Sequence, residues 1–252
     1  MAAATAPAPL ILAAFRSPAL ATEAKADGTP VTAADREAEA TIRAALRRAG
    51  EWGTLEILGE EGGADGEPGP LRWIIDPIDG TRAFARGLPT FGTIVALEET
   101  ASRRALVGVI HLPAAGETLA AARGLGARRG GTGGGMEVRA SRAGDLRTAI
   151  VSVPDLAEFR AAGMAEGYHR LHRLCDRVRG YTDCWAHAQV VAGAVDALVD
   201  PGLRPWDVRA TQVLIEEAGG AHLTRASAVA GCEDIVCGSP ALVEQLARVF
   251  GF

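Results

Sequence analysis

No stretch of this 252-residue chain approaches the roughly 20 consecutive apolar residues that a membrane-spanning helix needs. An excess of basic charge is also missing: 26 Lys and Arg stand against 31 Asp and Glu, a formal net charge of −5. That balance gives no general attraction for nucleic acid or for an anionic membrane surface. Cys175, Cys184, Cys232 and Cys237 match no structural zinc spacing. Without a signal peptide they also make no disulfide framework in a chain of this size, so they are expected as buried free thiols. The five histidines form neither HxH nor HExxH, which removes the usual grounds for a histidine metal site. The start, Met1 to Leu12, is rich in Ala and Pro and has no basic n-region. It reads as a partly disordered leader on a cytoplasmic protein. No period suggests a solenoid or propeller. What remains is ordinary for a soluble globular chain, 48% hydrophobic and 23% charged, long enough for one large domain or two small ones sharing an interface.

The stretch that organises the rest is Trp73-Ile74-Ile75-Asp76-Pro77-Ile78-Asp79-Gly80-Thr81. An apolar run of strand character ends in two aspartates separated by two residues, at the C-terminal strand end where ligands gather in α/β structures. Pro77 fixes its own φ and biases Asp76 toward extended backbone. Carboxylates held this close repel each other unless a cation lies between them. Gly80 permits close backbone approach, and a helix starting after it would aim the Gly80 and Thr81 amides at an anion. A divalent metal with a phosphate is the combination this turn suggests. An ordinary acidic β-turn uses the same residue types, so the other carboxylates decide the matter.

Upstream, Thr32-x-x-Asp35 fits a capping box, and Ala38, Ile42, Ala45 and Leu46 recur at helical spacing until Gly50. Asp35 then has a structural role as first-turn dipole partner and cap. Leu55 to Leu58 predicts a short strand ending in Gly59-Glu60-Glu61-Gly62, a second carboxylate turn at a strand end. Phe91–Leu97 and Ala105–Ile110 predict a hairpin of buried strands, with Glu117–Ala122 a third strand and Gly130 to Gly135 a linker or loop tip. In the second half Thr148–Val153 predicts a strand, followed by helices near Tyr168–Arg179 and from Asp183 to Ala194. A strand Val195–Val199, a loop holding Pro201, Gly202 and Pro205, and a helix Asp207–Ala218 come next. Strand Ile235–Cys237 and helix Pro240–Phe250 close the pattern, so hairpins dominate early and β/α alternation late. Asp207 falls in the first turn of its helix, a favourable place whether or not it binds metal.

Taken in order, Gly59-Glu60-Glu61, Asp76-Pro77-Ile78-Asp79-Gly80-Thr81 and Trp206-Asp207 with Ala218-Gly219-Gly220 resemble the inositol monophosphatase superfamily. Lys25 and Pro30-Val31-Thr32-Ala33-Ala34-Asp35 add its upstream element, so the resemblance runs from about Lys25 to the C-terminus. Arg82 to Thr93 and Tyr181-Thr182-Asp183-Cys184-Trp185 are similar to the histidinol-phosphate phosphatase branch. Thr182 departs from the glycine usual there, Trp206 from the frequent tyrosine, and the front is shorter than the full helix usual in the family.

The resemblance implies an α/β fold, the layered αβαβα sandwich, with an N-terminal α+β half over residues 1–146 and a C-terminal α/β half over 147–252. It implies two or three Mg²⁺ ions held by Glu60, Asp76, Asp79, Asp207 and the carbonyl of Ile78, all oxygen ligands suited to a hard cation. Asp35 and Thr81 would orient the attacking water, with Glu60 a further base, and the Gly80 and Thr81 amides would cradle the phosphate. Asp200 faces the substrate in this reading, Asp183 is the second selecting residue, and Arg204 touches phosphate or closes the site. Two acidic groups at the leaving alcohol suit a cation, so L-histidinol phosphate is the favoured substrate of a Mg²⁺-dependent phosphomonoesterase. Myo-inositol monophosphate and 3′-phosphoadenosine 5′-phosphate are the alternatives, and a non-catalytic binding or regulatory protein is the reading from another class. A homodimer acting on a small phosphate ester, with no nucleic-acid or membrane partner, completes the expectation.

Overall fold

The chain begins with helix rather than coil. The computed structural model describes residues 1–18, 20–24, 30–130 and 135–252, and in it Ala2–Thr5 (α1) and Ala8–Ala14 (α2) are short helices. This corrects the expected disordered leader. Alanine is the best helix former, Pro9 falls in a first turn that tolerates it, and Ala4 and Ile11 are buried. Thr22–Ala24 (β1) pairs antiparallel with Pro30–Thr32 (β2). The Lys25 element, the turn-rich lead at 25–29 and most of the glycine run, 131–134, lie outside the described residues.

Ala33–Arg47 (α3) begins at Thr32 with the predicted capping box and presents Ala38, Ile42 and Leu46 inward. Glu56–Gly59 (β3), Gly63–Asp65 (β4) and Leu71–Asp79 (β5) follow, then the single-turn helix Thr81–Ala85 (α4). Gly92–Glu99 (β6), Arg104–Leu112 (β7), Glu117–Ala122 (β8), Ala127–Arg129 (β9) and Met136–Glu137 (β10) complete the larger sheet. Among the described residues its order is β10-β9-β8-β7-β6-β5-β3-β4. β3 runs parallel to β5, while β5 to β9 are antiparallel neighbours.

The second half holds Ile150–Ser152 (β11), Leu156–Ala161 (α5), Ala165–Leu174 (α6), Arg177–Arg179 (β12) and Asp183–Val191 (α7). Ala197–Leu203 (β13), Pro205–Glu217 (α8), Ala221–Ala226 (β14), Glu233–Gly238 (β15) and Pro240–Phe250 (α9) follow. The smaller sheet runs β12-β11-β13-β15-β14. Two expectations are corrected here. The helix near Tyr168 stops at Leu174, and Arg177-Val178-Arg179, which alternates polar and apolar, pairs with β11 instead. The loop expected at Pro201 and Gly202 is strand through Leu203, with a register shift between Asp200 and Leu203 that takes up both residues.

Alternation along the strands sets the layers. Ile75, Val95 and Val109 pack with α1 and α3 residues, whereas Ile74, Ile94 and Ile110 pack with α7, α8 and the smaller sheet. Helices α5, α6 and α9 cover that sheet's far side through a core of Phe159, Leu171, Val199, Val236 and Leu246. The result is the αβαβα sandwich. Gly108 on β7 lets α8 come close, since a Cβ there would lie 2.6 Å from the Ala210 carbonyl oxygen and from Val213 Cγ1. That approach sets the N-terminus of α8, and with it Asp207, against the end of β5.

Candidate active site

Parallel pairing of β3 with β5 places Gly59 opposite Ile75, so the residues that follow, Glu60 and Asp76, leave the sheet side by side. The Glu60 amide donates to the Ile75 carbonyl at 3.3 Å, which continues the ladder into the site. On its other edge β5 shifts register against β6 between Asp76 and Asp79. The shift lets the strand carry Pro77, which has no N–H to give, and turns Asp79 toward the space Asp76 faces. Asp207 arrives from α8, whose start is fixed by Pro205 in the first turn and by the Arg204 amide donating to Asp207 Oδ2 at 2.7 Å.

One carboxylate oxygen from each of Asp76, Asp79 and Asp207 lies within 4.8 Å of the others. Burial, then the charges of Glu60, Asp79 and Asp207, push Asp76 well above the ordinary carboxylate range. Burial, then Asp183 and Asp207, do the same to Asp79. Asp207 is raised to about 8, first by burial and then by Glu60. Asp76 is within hydrogen-bonding reach of both Glu60 and Asp207, although carboxylates so placed repel unless they share a proton or a cation. Asp76 Oδ1 is buried with no hydrogen-bond partner. A buried, unpartnered acceptor in an all-oxygen cluster of like charge is the chemistry of a site for a hard cation.

Asp35 keeps its structural role and reaches the site as well. Its Oδ2 accepts from the Thr32 amide at 2.8 Å and the Thr32 hydroxyl at 2.6 Å, while Oδ1 lies 3.2 Å from Thr81 Oγ1. Thr81 Oγ1 is also 2.9 Å from the Ile78 carbonyl oxygen. With one proton and two acceptors, that hydroxyl keeps lone-pair capacity for a further donor. Gly80 sits at φ +83°, where a Cβ would be 2.9 Å from the Thr90 carbonyl and 3.3 Å from Asp183 Cβ.

The second half brings Asp183 and Asp200 to the same place. Asp183 opens α7 at φ +57° without capping it, and its carboxylate accepts from the Thr182 hydroxyl at 2.6 Å. Burial, and the nearby Asp200 charge, raise its pKa against the lowering hydrogen bond from Thr182. The following amide, Cys184 N–H, donates to Asp79 Oδ2, which ties α7 to the carboxylate cluster. Asp200 is 5% exposed on β13 and accepts from His187 Nε2 at 3.0 Å. The Arg204 side chain points elsewhere: its guanidinium donates to the Ala230 carbonyl at 3.1 Å, over the turn between β14 and β15.

Two residues that sequence reasoning passed over, Glu158 and His187, join this end of the site. Glu158 of α5 is raised to about 7, first by burial and then by Asp200, Asp155 and Asp183, with Arg82 opposing. It borders a cleft of about 340 Å³ shared with Tyr168, His172, Arg179 and Thr182. His187 alone left a signal, because it is four residues after Asp183 on a helix and therefore on the same face. The four cysteines are buried free thiols, as expected. No helix among the described residues is long and apolar enough to cross a membrane.

Comparison with known proteins fits this geometry. Residues 1–250 match the inositol monophosphatase family. A histidinol-phosphatase of Streptomyces coelicolor is 36% identical over 209 residues, covering 82% of this chain and 77% of the relative. The Nus factor SuhB of Escherichia coli is 33% identical over 221 residues, covering 86% and 80%. The solved structure of an IMPase from Thermotoga maritima superposes with a TM-score of 0.83 at 28% identity, covering 99% of this chain and 94% of that one. The chain belongs to the inositol monophosphatase family and is accordingly a phosphatase, a phosphoric monoester hydrolase.

Proposed function

We propose that the protein is a Mg²⁺-dependent phosphatase whose substrate is L-histidinol phosphate. The observation that carries the substrate is the pair Asp183 and Asp200, two carboxylates beside the Asp79 end of the cluster, where the leaving alcohol of an ester held at the cluster would lie. Their combined charge favours an alcohol bearing an amine and an imidazole over a neutral polyol. The 36% identity to a histidinol-phosphatase supports the same choice.

Glu60, Asp76, Asp79, Asp207 and the Ile78 carbonyl would hold the magnesium, two or three ions in all. Bound there, magnesium supplies Lewis acidity, neutralising phosphate oxygens and easing deprotonation of water. The chain's own groups do the rest. Asp35, with Oδ2 fixed by Thr32, holds Oδ1 toward Thr81 Oγ1, so the pair can accept and orient the protons of an attacking water. Glu60, beside Asp76, would be a further proton acceptor. The Gly80 and Thr81 amides, at the left-handed turn that opens α4, would cradle the ester phosphate.

Phosphate release from histidinol phosphate, inositol 1-phosphate and 3′-phosphoadenosine 5′-phosphate, measured side by side with Mg²⁺, tests the assignment. Histidinol phosphate is expected to show the highest kcat/KM. Negligible turnover of it beside ready turnover of inositol phosphate would replace the substrate while keeping the reaction. A non-catalytic relative would be expected to lack one or more of the metal carboxylates, and Glu60, Asp76, Asp79 and Asp207 are all present. The reading extends to a cytoplasmic homodimer, which sedimentation at micromolar concentration checks.

A further inference from the structure

Helices α7 and α8 carry matching pairs of residues one turn apart. Asp183 and His187 stand four apart on α7, and Asp207 and Thr211 stand four apart on α8. The first member of each pair faces the site. The second members meet behind it: His187 Nδ1 lies 2.8 Å from Thr211 Oγ1, and His187 Nε2 lies 3.0 Å from Asp200 Oδ2 on β13. Thr211 is 0%, His187 2% and Asp200 5% exposed, so water does not compete for these bonds. The three elements joined by this chain are the ones that present Asp183, Asp200 and Asp207.

We propose that His187 is a positioning residue for Asp200, and that the Thr211–His187–Asp200 chain fixes the carboxylate which selects the leaving alcohol. An ionised carboxylate only accepts, so Nε2–H donates to Asp200. In the neutral ring Nδ1 is then the acceptor for the Thr211 hydroxyl proton, and both ring nitrogens are used. Without the imidazole, Asp200 Oδ2 loses the hydrogen bond that sets its rotamer and is free to turn from the alcohol. Chemistry at phosphorus, carried out at the far side by the residues of the carboxylate cluster, is not touched. The expected signature is therefore a loss in binding of the alcohol and not in turnover.

The proposal rests on Asp200 facing the leaving group, and the test separates the two. Two esters are compared: the natural-type ester that the wild-type protein hydrolyses best, and p-nitrophenyl phosphate, which offers Asp200 no partner. His187→Leu is expected to raise KM for the first by about tenfold or more, the worth of a hydrogen bond to a charged group. It should change kcat by less than about threefold and leave KM for p-nitrophenyl phosphate within about twofold. His187→Gln, which keeps a donor near Asp200, should recover most of the loss. Thr211→Val, nearly isosteric, should raise the same KM by a smaller factor, and it reports on the chain even if His187→Leu does not fold. Equal KM increases for both esters, or a glutamine variant no better than leucine, would overturn the positioning role. Asp200→Asn run alongside assigns the failure: a raised KM in Asp200→Asn with none in His187→Leu removes His187 alone. No change in either removes the reading of Asp200 as well.

Discussion

At the scale of single residues the site is a set of carboxylates that should not be together. Each of Asp76, Asp79 and Asp207 is pushed up first by burial and then by its neighbours. The folded protein therefore binds these protons more tightly than the unfolded chain does. Their contribution to stability without metal is fully present below the ordinary carboxylate value, near 3.8, and is lost as pH rises toward about 8. Melting of metal-free protein is expected to show a falling Tm between about pH 5 and about pH 8, with a shallower fall in Asp207→Asn, which has one such proton fewer. Added Mg²⁺ should raise Tm most at the alkaline end, because ligands must shed protons to bind. A metal-free Tm that climbs across that range would contradict the arrangement. Asp79→Asn should lower kcat by at least about 100-fold, with an unchanged far-ultraviolet circular dichroism spectrum. Full activity would remove Asp79 from the ligand set. Asp76 and Asp79 stood out by their spacing, whereas Asp207 was singled out through the family resemblance, and the structure gathers the three. The partnership of Asp200 with His187 was not legible, because it depends on how α7 leans on β13, a tertiary fact with no local pattern.

Elements were legible where one local rule acted alone. The capping box at Thr32 and Asp35 stood out in the sequence and forms as expected, and the β6–β7 hairpin follows its apolar runs. Expectations failed where pairing overrode propensity. Pro201 and Gly202 read as loop, yet β15 pairs with β13 on both sides of them and the bulge absorbs them. Arg177-Val178-Arg179 read as the tail of a helix, but the edge of β11 recruits it as a strand. Gly108 shows an element acting at a distance. It leaves room for α8 at the Ala210 carbonyl and Val213, and α8 carries Asp207. Gly108→Ala should overpack this contact at a cost of about 1–3 kcal/mol. It should also weaken Mg²⁺ activation by displacing the N-terminus of α8. Denaturant unfolding and a Mg²⁺ titration of activity check both, and a variant that loses neither would show that the contact yields without moving the helix.

At the scale of the whole molecule, the α7–α8 layer must hold two sheets in fixed relation, since one supplies Asp76 and Asp79 and the other Asp200. Apolar packing does most of this, and the buried Arg209 also reaches both sheets. Arg209 of α8, 2% exposed, donates from Nε to Glu98 Oε2 on β6 at 2.6 Å and forms two 2.6 Å bonds to Glu233 on β15. Glu98, itself fully buried, takes a second bond from Arg72 of β5 at 3.0 Å. Removing Arg209 takes both of its bonds from Glu233 and leaves the fully buried Glu98 with Arg72 as its one remaining cation. Arg209→Leu should therefore destabilise by about 3–5 kcal/mol, a fall in Tm of roughly 6–20 °C for a chain of this size. Replacing Arg209 and Glu233 together by apolar residues should return part of that loss, because the unpaired carboxylate leaves with its partner while Glu98 keeps Arg72. Arg209 lies two residues beyond Asp207 and points away from the cluster, so kcat measured well below the new Tm should stay within a few-fold of wild type. If Arg209→Leu instead melts like wild type, Arg209 is not needed to hold the sheets together.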